Sequence, residues 1–166
     1  AMPDMISFID LKAQRERLKD QIDAAVIKVL DEGRYILGPE VSELETRLAE
    51  FAGAGQALSC ANGTDAILIP LMAWGIGPGD AVFVPAFTFA STAEVVVLAG
   101  ASPVFVDIDP RTFNLNPELV EEKISDHPRA IIPVHLFGQS AEMAPITALA
   151  REKGLVLIED AAQAIG

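Results

Sequence analysis

A chain of 166 residues with 51% apolar and 22% charged side chains is long enough to bury a substantial core and too hydrophobic for intrinsic disorder. Its net charge of −12, from 24 acidic against 12 scattered basic residues, lacks the basic face that nucleic-acid binding requires, so no such partner is expected. No apolar run is long enough to span a bilayer, no secretory signal opens the chain, and Cys60 has no internal partner; a soluble, cytoplasmic protein is the expectation.

Ala1 ahead of Met2 reads as a cloning scar. Apolar residues then recur at helical spacing from Leu11 through Leu18, Ile22, Val26 and Val29 to Leu30, with Gly33 as the stop. After the loop "GRYILGPE", a second helix is predicted from Pro39, whose fixed φ suits a first helical position, through Val41, Leu44, Leu48 and Phe51 to Gly53. From there short apolar runs alternate with helix-length stretches. Strands are predicted over 57–61, 81–85, 103–107, 130–134 and 155–159, and helices over 64–74, 89–98, 117–124 and 142–153. Strands apolar on both faces and joined by helices predict an α/β fold, a mainly parallel sheet with helices on both faces. No repeat, linker or internal domain boundary is evident.

Open parallel sheets bind ligands beyond the carboxyl ends of their strands. Here those ends carry "CANGTDA", "PAFTFAST", "DIDPRT", "HLFGQS" and "EDAAQ". In the first, Gly63 follows the strand and Thr64 and Asp65 open a helix, so that backbone N–H groups and a hydroxyl would suit a phosphate, although capping by Asn62 or Thr64 explains the same residues. Alternation sends Phe87 and Phe89 to one side of an extended chain, as a ring plate or as core. His135 is read as an acid–base group or, more simply, a satisfied structural residue, and Asp107 and Asp109 as turn formers. No metal site is expected. Asp160 ends an apolar run and needs a partner, either the start of a following helix or a ligand cation. A phosphate cradle, an aromatic plate and a carboxylate together match the grip that pyridoxal 5'-phosphate requires.

"RYILGPEVSELE", "CANGTDA", "PAFTFAST", "GASPVFVDIDPRTFNL", "AIIPVHLFGQ" and "VLIEDAAQAIG", in this order, resemble the DegT/StrS family of sugar aminotransferases from Ile6 to Gly166. The resemblance implies the large domain of a fold type I pyridoxal-phosphate enzyme and transfer of an amino group from glutamate to a nucleotide-linked keto-sugar. It implies that Thr64 and the backbone at Gly63 and Asp65 hold the phosphate. Phe89 would stack on the ring, Asp160 pair with its nitrogen, and Gln163 lie beside the ring hydroxyl. Tyr35 and Gly38 fall toward the substrate, and the wording is nearest to members acting on UDP-linked 2-acetamido-3-keto-uronic acids in surface polysaccharide synthesis. Members are homodimers with shared active sites.

One departure stands out. The family attaches the cofactor to a lysine past the "EDAAQ" motif, and none of Lys12, Lys19, Lys28, Lys123 and Lys153 matches it. The chain therefore reads as the N-terminal portion of a longer enzyme, without the small C-terminal domain and inactive alone. A sugar dehydratase with histidine at that position, and a non-catalytic sensor of pyridoxal phosphate or a sugar nucleotide, are the alternatives.

Overall fold

The computed structural model describes residues 9–123 and 127–165. The chain divides into two compact units between Ser59 and Cys60, where the sequence carries no linker signal.

The first unit is helical: α1 (Leu11–Arg17), α2 (Lys19–Glu32) and α3 (Pro39–Ala52). The single helix expected from Leu11 is interrupted at Leu18, whose φ of −105° departs from helical geometry while its N–H still reaches the Gln14 carbonyl. Asp10 caps α1 through the Ala13 N–H (2.9 Å). Gly33 and Gly53 end α2 and α3 in the left-handed conformation that glycine adopts without penalty. Pro39 opens α3 as expected, and Lys28 reaches Glu40 (2.8 Å) between α2 and α3. None of these helices buries a side chain, and the stripe Ile22, Val26 and Leu30 is exposed.

The second unit is the expected α/β sandwich. In chain order it holds α4 (Gly63–Ala73), β1 (Ala81–Pro85), α5 (Ser91–Leu98), β2 (Ser102–Val106), α6 (Pro117–Glu122), β3 (Pro128–Ile131), a 3₁₀ turn (Leu136–Gly138), α7 (Met143–Lys153) and β4 (Val156–Leu157). The far end of the helix expected over 117–124, Ile124, lies outside the described residues. All strand pairs are parallel, in the order β2-β1-β3-β4. β1 is central and buried at every position. Its side chains alternate: Val82 and Val84 pack with Ile67 and Leu71 of α4 and Val95 and Val96 of α5, whereas Phe83 packs with Val120 of α6 and Ile146 and Ala150 of α7. Helices thus cover both faces.

The strand expected over 57–61 is not formed: these residues pair with no strand, and they straddle the division between the two units. An apolar run becomes a strand only where its N–H and C=O groups find a ladder.

The chain runs from β1 outward to β2 and then crosses to the other side of β1 to make β3. That reversal opens a crevice at the carboxyl ends of β1 and β3.

Candidate active site

A cleft of about 320 Å³ occupies this crevice, lined by Gly63 and Thr64 at the start of α4, Thr88 and Phe89 after β1, Val134 after β3, and Asp160 and Gln163 after β4. Five of the residues singled out in the sequence thus meet: Gly63, Thr64, Phe89, Asp160 and Gln163. Tyr35 and Gly38 belong to the first unit, where the Tyr35 hydroxyl donates to the Leu30 carbonyl (3.3 Å) and Gly38 is buried.

At the start of α4, Asn62 is the cap, its Oδ1 accepting the Asp65 N–H (2.9 Å) while its amide donates to the Asp65 carboxylate (3.2 Å). Asp65 therefore departs from the expected phosphate cradle, because its N–H is already engaged. The Gly63 and Thr64 N–H groups donate to no acceptor among the described residues, and neither does the Thr64 hydroxyl. These free donors sit at the positive end of an 11-residue helix and face the cleft.

The expected pairing of Phe87 with Phe89 on one side does not hold, because the chain bends from Ala86 onward and alternation is lost. Phe87 joins Phe113 (ring centroids 5.9 Å apart) and Phe137 (6.5 Å). Phe89 lines the cleft with 74% of its surface exposed, an aromatic face without a ring stacked on it among the described residues.

The strand expected over 155–159 is shorter, Val156–Leu157, and the two acids that follow it have different partners. Glu159 accepts from His135 Nε2 (2.9 Å). His135 Nδ1 accepts the Ala141 N–H (3.1 Å), so the ring is neutral with its proton on Nε2. Buried and satisfied at both nitrogens, His135 is structural. Asp160 is tied by its backbone, its N–H donating to the Pro133 carbonyl (2.9 Å) and its carbonyl accepting the His135 N–H (3.0 Å). Its half-buried carboxylate accepts from the Thr92 hydroxyl at Oδ2 (3.1 Å) and the Ala162 N–H at Oδ1 (3.2 Å). No cation among the described residues pairs with it. Two neutral donors orient the carboxylate and leave its charge for whatever enters the cleft.

Gln163 Oε1 accepts the Phe137 N–H (2.7 Å), which leaves the amide NH₂ as the group offered to a ligand. Phe137 makes this contact from a left-handed turn (φ 58°), followed by Gly138 (φ 85°). Sequence reasoning did not find Thr92, Ala162 or the Phe137 N–H as partners. The available signal was Thr92 itself, a hydroxyl four residues after Thr88 on a helix otherwise rich in valine.

None of the five lysines lines the cleft. Lys123 Nζ donates to the Phe105 carbonyl (2.8 Å), and Lys153 pairs with Glu152 (2.7 Å) in the last turn of α7, which leads into the start of β4.

The DegT/DnrJ/EryC1/StrS aminotransferase family matches residues 16–166. A UDP-2-acetamido-2-deoxy-3-oxo-D-glucuronate aminotransferase of Pseudomonas aeruginosa is 59% identical over 162 residues, covering 98% of this chain and 45% of that protein. The crystal structure of a DegT DnrJ EryC1 StrS aminotransferase from Brucella abortus superposes with a TM-score of 0.91 at 55% identity, covering 97% of this chain and 45% of that one. NtdA of Bacillus subtilis, solved with bound cofactor PMP, superposes with a TM-score of 0.90 at 35% identity, covering all of this chain and 39% of that one. The chain spans less than half the length of these relatives. It belongs to the DegT/DnrJ/EryC1/StrS aminotransferase family.

Proposed function

We propose that this chain is the N-terminal, cofactor-holding portion of a pyridoxal-5'-phosphate-dependent aminotransferase. The observation that carries the reading is Asp160: an oriented carboxylate that pairs with no cation among the described residues, in a cleft also lined by Gly63 and Thr64 at the start of α4. The residues fit the group. Gly63 and Thr64 would hold its phosphate, Phe89 would cover its ring, Asp160 would keep the ring nitrogen protonated, and the Gln163 amide would donate to the ring oxygen. The cofactor supplies an electron sink that makes amino-group transfer accessible. What the chain contributes is binding, orientation and the charge that holds one proton on that nitrogen.

The amino donor in this reading is glutamate and the acceptor a nucleotide-linked keto-sugar. UDP-2-acetamido-3-keto-glucuronate is the first candidate, supported by the similarity to the P. aeruginosa enzyme. The setting is cytoplasmic synthesis of a surface polysaccharide such as lipopolysaccharide, by a homodimer whose sites draw on both copies. Tyr35 and Gly38 are assigned to the substrate side. The attaching lysine is assigned to sequence outside residues 1–166, with the small C-terminal domain, since none of this chain's five lysines lines the cleft.

The test is the visible absorption spectrum of the full gene product with added pyridoxal 5'-phosphate, before and after glutamate. A yellow band that fades with glutamate is expected. A band that never forms, or that ignores glutamate, would overturn the aminotransferase reading in favour of a dehydratase or a sensor.

A further inference from the structure

We infer that Thr92 is a positioning residue: its buried hydroxyl sets the Asp160 carboxylate for the ring cation, and the cofactor's affinity depends on it. The inference rests on the reading of Asp160 given above.

Thr92 lies in the first turn of α5 and is completely buried, on a helix whose other buried side chains include Val95 and Val96. A hydroxyl in such a place costs free energy unless it is hydrogen-bonded. Helical threonines commonly satisfy themselves on a carbonyl one turn back. Thr92 instead spans from α5 to the end of β4, donating to Asp160 Oδ2 at 3.1 Å, and its oxygen lies 3.5 Å from the Thr88 hydroxyl at the cleft wall.

The consequence is geometric. Each carboxylate oxygen of Asp160 has one donor among the described residues, Thr92 on Oδ2 and Ala162 on Oδ1, and these two bonds fix the plane of the group. A side-chain carboxylate held this way loses little freedom when a cation arrives. Neither donor carries charge, so the carboxylate is steered without being neutralised. An arginine or lysine at position 92 would cancel the field that the cofactor needs. A valine would fill the same space and leave Oδ2 unsupported.

The experiment is a double-mutant cycle in the full gene product, with the dissociation constant of pyridoxamine 5'-phosphate measured by calorimetry. Thr92→Val is expected to weaken binding about tenfold, the scale for removing a hydrogen bond to a charged group. Thr92→Ser, which keeps the donor, should recover most of it. In the Asp160→Asn background, Thr92→Val should change affinity less than about twofold, because the two residues act as one unit. Equal affinity of Thr92→Val and wild type, equal weakness of the serine and valine variants, or the same valine penalty in both backgrounds would each overturn the inference while leaving Asp160 in place. Wild-type affinity in Asp160→Asn alone would instead overturn the reading of Asp160 and the inference with it. Thermal melting of each variant separates lost binding from lost folding.

Discussion

Asp160 and Asp109 show how differently one residue type is used at two strand ends. Asp160 is held by neutral donors and pairs with no cation among the described residues, so its charge is available to the cleft. Asp160→Asn keeps the shape and removes the charge; in the full gene product, weak cofactor binding should survive while turnover falls by about two to three orders of magnitude, the scale of a lost preorganised electrostatic contact. Steady-state kinetics with glutamate checks this, and near-normal turnover would refute the assignment. Asp109 is instead tied up locally. The Arg111 guanidinium (2.8 and 3.2 Å) and then the Arg111 N–H (2.7 Å) hold its carboxyl at about 2. A carboxylate whose folded value is depressed contributes stability that is present above its unfolded value of about 3.9 and lost as pH falls through about 2. A carboxyl NMR titration should therefore find Asp109 ionised at pH 3 in the folded chain. In Arg111→Ala its midpoint should move back up toward the ordinary value; an unmoved midpoint would show that the turn backbone alone sets it.

Helix α4 illustrates what was legible in the sequence and what was not. Its start was readable because Asn62, Gly63, Thr64 and Asp65 all favour helix entry, but the same four residues could not say which N–H groups are consumed by capping. The structure divides them, with the Asp65 N–H on Asn62 and those of Gly63 and Thr64 without an acceptor among the described residues. Asn62→Ala should destabilise the chain by about 1 kcal/mol and Asn62→Gly by only a few tenths. Urea unfolding resolves the difference, and equal losses would mean that the cap bond contributes little. The parallel strands were legible because both of their faces are apolar, as in "AVFVP", where every residue is buried. The segment 57–61 has a similar apolar look and failed because pairing is non-local: composition does not reveal whether a neighbouring strand exists. The Phe87–Phe89 expectation failed for a related reason. Period-two reasoning holds only while the chain is extended, and the bend beginning at Ala86 sends Phe87 to Phe113 and Phe137 instead. The Thr92–Asp160 contact joins residues 68 positions apart, a distance across which local patterning carries no information.

At the scale of the whole molecule the two units differ in how they are held. The second has two cores on opposite faces of one sheet, with Phe83, Ile131, Ile132 and Ile146 fully buried. Among the described residues the first has three helices, none with a buried side chain, and helices of 7 to 14 residues are marginal in water on propensity alone. Amide hydrogen exchange on this chain should report that contrast directly. Amides of α1, α2 and α3 should exchange through local opening with little protection, whereas those of β1 and β3 should be protected by about 5 kcal/mol or more. Phe83→Ala leaves a cavity under the central strand and should lower the β1 and β3 protection by about 3–5 kcal/mol. Strong protection of α2 would contradict the independent fragility of these helices. If that protection also rose with protein concentration, its source would be a second copy covering the exposed stripe of Ile22, Val26 and Leu30. Protection independent of concentration would place the missing burial within a single chain.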